Sequence, residues 1–424
     1  MNHKKLLMFC FHYPPAISGG VERSVRFARY LPEFGWSPVV VTTNRYGDDP
    51  GGVGGEVVRV GEFLGRADAA RSDRSAPSRR GAAVRWVEKW LLIPDKHVRW
   101  TAKALIPALR MIRRGAGEVI YTTSPPVSAH VLGLSLKKLT GRPWVMDLRD
   151  PWTLEPLVWY LRAGGARLSI EKRIERLCIG NADAVVTTTP EAREMYAALY
   201  PRSAGRIHSI PNGYDARELE DARGSISSND LVRSIGDQVF VIGHVGTFSR
   251  HADTDAYPRA FLDAVADLVR EGVLSPRTHR IIFAGGMSPE TRRRIAAYGL
   301  GKLILMTGPI SHIDALRITL RADVLLLYDP GREGNYYVRG KLYEYLASER
   351  PILGVLPPGA ARGLLERSGH AIAITRDDAR EIGHALRSAV AARAAGKRTD
   401  FALSQYEGRH LTSLLAAVLD AVVR

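Results

Sequence analysis

The run Gly340-Lys341-Leu342-Tyr343-Glu344-Tyr345-Leu346-Ala347 places a cation and a carboxylate three residues apart where a helix begins. That spacing sets Lys341 and Glu344 on one helical face. Free backbone N–H groups and the positive end of the helix dipole already favour a phosphate there. One face can then hold a diphosphate by charge and a sugar hydroxyl by its carboxylate; the alternative is an amphipathic helix with an ordinary surface ion pair. A second place of this kind is Tyr13-Pro14-Pro15-Ala16-Ile17-Ser18-Gly19-Gly20-Val21, a strand, a glycine turn and a helix start. Gly19 and Gly20 let the chain approach a phosphate or a reacting sugar closely, or they make a plain tight turn. Neither G-x-G-x-x-G nor G-x-x-x-x-G-K-[ST] occurs here, so dinucleotide and P-loop readings gain no support.

Two further clusters fall at the carboxyl ends of predicted strands, the edge where open α/β sheets bind ligands. Tyr121-Thr122-Thr123-Ser124-Pro125-Pro126 leads to His130, either a substrate contact or a capped structural histidine. Val145-Met146-Asp147-Leu148-Arg149-Asp150-Pro151-Trp152 puts three charges in four residues, a structural ion-pair network or a place that meets a polar ligand. In the second half, Gly243-His244-Val245-Gly246-Thr247-Phe248-Ser249-Arg250 ends a strand in glycine and follows it with a cation able to pair with a diphosphate. Asp253-Thr254-Asp255 has the acid-x-acid spacing of a metal–nucleotide site. It is discounted because Arg250 and Lys341 offer the same charge, so no metal site is expected. No H-E-x-x-H, G-x-S-x-G or Cys/His nucleophile pattern is present.

The elements that position these residues follow from hydrophobic patterning. At 424 residues the chain is long for one core, and two domains are the natural expectation. Short apolar runs such as Leu6 to Phe11, Val119 to Tyr121 and Trp144 to Asp147 alternate with amphipathic stretches, the grammar of a parallel sheet. The grammar restarts at Val239 to Val245. Between the halves lie Ile210-Pro211-Asn212-Gly213-Tyr214-Asp215 and a Gly-, Ser-, Asn- and Asp-rich stretch from Asp221 to Asp230, read as turns. The reading is an α/β protein with two doubly wound Rossmann-like domains facing across a cleft. They span 1–215 and 216–402, with a final segment, 403–424, whose helix crosses back to the first domain.

Composition bounds the partners. The formal net charge is +16, an excess that draws phosphates, nucleic acid or anionic head groups. Between Arg66 and Arg114, 13 Lys or Arg stand against 4 Asp or Glu. The same stretch carries Arg85, Trp86, Trp90 and Trp100, so it reads as a surface for an anionic membrane, or as plain arginine decoration. No helix-turn-helix, zinc-finger or RRM signature accompanies the charge, so nucleic acid is not expected. No run of about 18 uncharged apolar residues suggests a membrane span. The cysteines, Cys10 and Cys178, suit a reducing cytoplasm.

Taken in order over nearly the whole chain, several motifs resemble the glycosyltransferase family 4 group of retaining, GT-B-fold sugar transferases, especially builders of bacterial exopolysaccharides. They are Tyr13-Pro14-Pro15 with Gly19-Gly20, the Ser124-Pro125-Pro126 turn, Asp147 to Trp152, Asn181 to Thr188, Ile210 to Asp215, Gly246-Thr247-Phe248 and Gly340 to Leu346. The resemblance implies cofactor-free, metal-independent transfer of a sugar from a nucleoside-diphosphate sugar to a glycan or polyprenyl-linked acceptor. It implies that Arg250 and Lys341 neutralise the donor diphosphate, and that His130 and Asp150 orient hydroxyls. Gly19, Gly20, Gly246, Thr247 and Leu342 would lie along the donor, and Glu344 would hold the ribose. Arg149, with Arg85, Trp86 and Trp90, would face the acceptor and the membrane. Eight positions before Glu344 stands Tyr336 in place of the family's first glutamate, so that carboxylate is either missing or supplied by Glu333 through a shifted loop. The rival readings are a nucleotide-sugar 2-epimerase of the same architecture and a non-catalytic nucleotide-sugar-binding homologue.

Overall fold

Short apolar runs become the strands of two parallel sheets, because a strand covered on both faces is apolar along its whole length. The computed structural model describes residues 3–16, 20–47, 55–61, 90–154, 165–248, 257–330, 336–392 and 400–423. Gly19, Arg85, Trp86, Arg250, Asp253-Thr254-Asp255 and Glu333 lie outside the described residues. The chain divides into two units, Met1–Gly213 with Tyr406–Arg424, and Tyr214–Gln405.

In the first unit the strands are β1 (Lys4–Phe9), β2 (Trp36–Thr43), β3 (Glu56–Val60), β4 (Val119–Thr123), β5 (Trp144–Leu148), β6 (Ala184–Thr187) and β7 (Ile207–Ser209). They are ordered β3-β2-β1-β4-β5-β6-β7, and neighbours run parallel. Helices α1 (Val21–Tyr30), α2 (Val98–Arg113), α3 (Ser128–Thr140), α4 (Ala166–Asn181) and α5 (Pro190–Leu199) connect and cover them. Alternation along β1 sends Leu7 and Phe9 into one apolar layer with Trp100 and Trp144, and Leu6 and Met8 into the other with Phe27 and Tyr121.

The second unit opens with α6 (Ala216–Gly224) and α7 (Asp230–Ile235). Its sheet contains β8 (Phe240–Val245), β9 (His279–Ala284), β10 (Ile304–Gly308), β11 (Val324–Tyr328), β12 (Ile352–Val355) and β13 (Ala371–Thr375), ordered β10-β9-β8-β11-β12-β13. Its other helices are α8 (Arg259–Arg270), α9 (Pro289–Ala296), α10 (His312–Arg321), α11 (Gly340–Ala347), α12 (Ala360–Ser368) and α13 (Ala379–Ala392). Each sheet reverses its strand order beside its first strand, between β1 and β4 and between β8 and β11. Such a switch point leaves a crevice at the carboxyl ends of the strands.

The final helix, α14 (Gly408–Val423), belongs to the first unit. Leu411, Leu415 and Leu419 enter the layer that holds Leu6 and Phe27. At its end Asp420 receives the Lys4 ammonium at 2.8 Å and the Trp36 indole N–H at 3.2 Å.

The stretch read as turns between Asp221 and Asp230 is instead largely helical. Polar residues in and before it act at helix starts: the Asp215 carboxylate accepts the amides of Arg217 and Glu218, and the Asn229 side chain accepts that of Val232. Side chains that disfavour helix interiors are favoured as caps. The same signal marks α5, where Thr189 caps Ala192 and Pro190 opens the helix.

Candidate functional site

In the first unit the glycine turn and the charged strand end come together. Gly20 caps α1, and a Cβ built there would fall 1.5 Å from Arg149 Nη1, so the guanidinium lies where any larger residue's side chain would stand. Arg149 is paired with Asp150 at 3.9 Å, and its carbonyl accepts the Thr188 hydroxyl. Asp147 is fully buried. It takes the Arg23 guanidinium through two bonds, 2.8 and 3.1 Å, together with the hydroxyls of Tyr121 (2.7 Å) and Thr123 (2.8 Å). Arg23 and these hydroxyls hold the Asp147 carboxyl below its ordinary range against the opposing effect of burial. Arg23 continues to the carbonyls of Ile210 and Pro211, and Arg26 to that of Gly213.

His130 is fully buried. Its Nδ1 shares a 2.9 Å hydrogen bond with the Thr122 hydroxyl, which also receives the Trp144 indole N–H. Its ring lies tilted 6.2 Å from that of Trp152, Nε2 has no hydrogen-bond partner among the described residues, and burial pushes its pKa down to about 3, so the imidazole is neutral. Trp90 is half-buried ahead of α2. Sequence reasoning expects a helix from about Leu168 to Gly180 but passes over the charged stripe of α4, whose Arg167, Glu171 and Glu175 recur every four residues and are fully buried. Glu175 accepts the backbone N–H and the hydroxyl of Thr153 and the hydroxyls of Tyr196 and Tyr200; Glu171 accepts the Trp152 indole N–H. This carboxylate stripe fixes the segment after Asp150. Its four-residue period was the signal available in the sequence.

In the second unit the switch point is lined with glycine. Gly246 (φ +132°) and Gly285 (φ +137°) adopt backbone angles that other residues rarely reach, and the two main chains lie in contact. A Cβ at Gly246 would stand 3.2 Å from Lys341 Nζ, and one at Gly286 would stand 3.5 Å from the Thr247 hydroxyl. Lys341 is half-buried in the first turn of α11. That helix has no side-chain cap, and its geometry leaves the amides of Gly340 and Lys341 without intrahelical partners. The Leu342 amide bonds to the Arg339 carbonyl, and its side chain is core; Leu342 therefore has no side chain to offer a ligand. Arg339 is held by both Asp329 carboxylate oxygens, at 2.5 and 3.1 Å, and lies over the Tyr337 ring. Burial and the neighbouring guanidinium push the Lys341 ammonium down to about 7, against the opposing pull of Asp329. Behind it His244 bonds through Nδ1 to the Leu326 carbonyl and stacks on Phe248. Burial and the Lys341 and Arg339 cations keep it neutral. Glu344, mostly shielded, approaches His312 Nε2 at 3.8 Å. Tyr336 is half-buried ahead of α11.

The structure thus brings together Gly20, Arg149 and Asp150 in one unit, and Gly246, Thr247 and Lys341 in the other. Sequence reasoning missed Asp329 and Arg339, although Asp329 closes the apolar run of β11 just as Asp147 nearly closes that of β5.

Residues 18–218 match the family model Glycosyltransferase Family 4. That match spans a little under half of the chain, and the fold of the whole chain is GT-B. Among solved structures, sucrose-phosphate synthase from Thermosynechococcus elongatus is similar with a TM-score of 0.65 and 15% identity, covering 99% of this chain and 96% of that one. HepE from Anabaena in complex with UDP-glucose is similar with a TM-score of 0.64 and 14% identity, covering 99% and 100%. The UDP-GlcNAc 2-epimerase of Methanocaldococcus jannaschii also shares the fold, with a TM-score of 0.60 and 11% identity over 98% and 99%. No curated protein sequence matches the chain.

Removing one partner of a buried ion pair strands the other charge. Asp147→Ala should therefore destabilise the protein by about 3–5 kcal/mol in urea unfolding, and a loss below about 1 kcal/mol, an ordinary surface value, would contradict the assignment.

Proposed function

We propose that this chain is a glycosyltransferase that moves a sugar from a nucleoside-diphosphate sugar to a glycan or polyprenyl-linked acceptor with retention of configuration and without a metal ion. The observation that carries the reading is Lys341, set at the glycine-lined switch point of the second unit beside the uncapped start of α11. Cationic and N–H donors aimed at one place stabilise charge as it develops on a leaving diphosphate. Lys341, the α11 amides and, in this reading, Arg250 supply the charge that a divalent ion would otherwise supply. Gly246 and Thr247 leave room for the phosphates, and Glu344 takes the ribose. HepE, one of the structures of similar fold, binds UDP-glucose, which agrees with a nucleotide-sugar donor. On the acceptor side Arg149 and Asp150, poised over Gly20, orient hydroxyls; His130 supports that segment from behind Trp152.

The acceptor reading extends to a membrane surface on the cytoplasmic side. Helix α2 exposes Arg99, Lys103, Arg110 and Arg113, carries no acidic residue, and leaves Ile106 58% exposed among them. Each cation near an anionic bilayer contributes about 1 kcal/mol. No helix among the described residues is long and apolar enough to cross a membrane.

With a panel of UDP-, GDP- and dTDP-sugars and lipid-linked or small glycan acceptors, one nucleoside diphosphate should be released in the presence of EDTA. Lys341→Ala should lower that turnover by about two powers of ten or more. Conversion of the donor to its C2 epimer would favour the epimerase reading, and binding without turnover a non-catalytic homologue.

Because a bound diphosphate favours the charged ammonium, nucleoside diphosphate binding should take up a proton and weaken as pH rises through about 7. Calorimetry in buffers of different ionisation enthalpy reads this directly; pH-independent affinity from pH 6 to 9 would contradict it. Charge reversal at Lys103 and Arg110 together should lower binding to vesicles containing anionic lipid by tenfold or more, on the order of 1 kcal/mol per cation removed. Unchanged binding would remove α2 from the membrane reading.

A further inference from the structure

Three helices of the second unit meet over a small apolar cluster made by Leu219 and Ala222 of α6, Leu316 and Leu320 of α10 and Ala347 of α11. Each carries a polar side chain close to that cluster in sequence: Glu218 next to Leu219, His312 one helical turn before Leu316, and Glu344 three residues before Ala347. These three side chains converge. His312 Nε2 lies 3.3 Å from Glu218 Oε2 and 3.8 Å from Glu344 Oε1. All are mostly shielded, with side-chain exposures of 32% for His312, 20% for Glu218 and 15% for Glu344. A long carboxylate side chain loses rotamer freedom when it is fixed. One already confined by a neighbouring ring meets a ligand with less entropic cost, the general gain of preorganisation.

We infer that His312, held by Glu218, positions the Glu344 carboxylate so that the donor site accepts both hydroxyls of a ribose and discriminates against deoxyribonucleotides. The inference rests on the reading of Glu344 as the ribose ligand. His312 touches no part of the donor in this account. It acts as a positioning residue whose effect reaches the ligand only through Glu344.

The test measures dissociation constants of UDP and GDP and of their 2′,3′-dideoxy counterparts for the full chain, with thermal unfolding as a control for folding. The unaltered chain should prefer at least one ribonucleotide by about tenfold or more, the scale of hydrogen bonds to a charged group. Glu344→Gln should abolish that preference. His312→Ala should weaken the ribonucleotide by about three- to tenfold and leave the dideoxy form unchanged. It should add no further loss on top of Glu344→Gln, and His312→Gln should recover part of the preference. Equal weakening of both nucleotide forms by His312→Ala, or no weakening of either, would overturn the inference while leaving Glu344 in place. If Glu344→Gln leaves the preference intact, the ribose assignment itself fails; absence of binding by either diphosphate would overturn the nucleotide-sugar reading and the inference with it.

Discussion

A carboxylate with no exposure at the end of a strand has to be neutralised where it stands, and in the first unit that condition organises everything around it. Asp147 draws Arg23 from α1, the hydroxyls of Tyr121 and Thr123 from β4, and, through the remaining guanidinium N–H groups, the carbonyls of Ile210 and Pro211. A buried pair of this kind contributes little net stability, yet loss of either partner is costly. The pair therefore fixes geometry more than it adds stability. It sets α1, and with it the turn at Gly20, at the switch point of the sheet, and the Arg149 guanidinium occupies the space that Gly20 leaves.

The second unit repeats the device with the sign of its consequence reversed. Asp329 closes β11 and takes Arg339 bidentately. Lys341, two residues on, is left beside a guanidinium, in a half-buried place with glycine on one side and a neutral His244 behind it. Burial first, and then the neighbouring Arg339 cation, disfavour its charged form in the free protein, so the Lys341 ammonium is depressed. In the proposed reading an incoming diphosphate would relieve it. Local destabilisation that a ligand removes is a common property of binding sites, and the proposed donor site at this lysine has that property.

Much of this was legible in the residues. Strand positions followed from apolar runs such as Val119-Ile120-Tyr121, because parallel strands buried on both faces are nearly continuous apolar runs. The lysine of α11 and Gly246, just after β8, were legible because helix starts and positive backbone angles have distinct chemistry. The partners were not: nothing in the spacing of Arg23 and Asp147, 124 residues apart, announces a pair, and only the sheet order places α1 over the end of β5. Polar residues between Asp221 and Asp230 read as loop because Asp, Asn and Ser favour turns and helix caps alike. The buried stripe on α4 was hidden for the opposite reason, since Arg167, Glu171 and Glu175 read as a solvated helix face until Trp152, Thr153 and two tyrosines are found packed upon it.

The central claim is that the donor diphosphate binds at Lys341. Its most direct test is a crystal structure of the full chain with an intact nucleoside-diphosphate sugar. The account predicts phosphate oxygens within hydrogen-bond distance of Lys341 Nζ and of the Gly340 and Lys341 amides, with the ribose hydroxyls on Glu344. A diphosphate bound elsewhere, with no phosphate oxygen near the Lys341 ammonium, would contradict it.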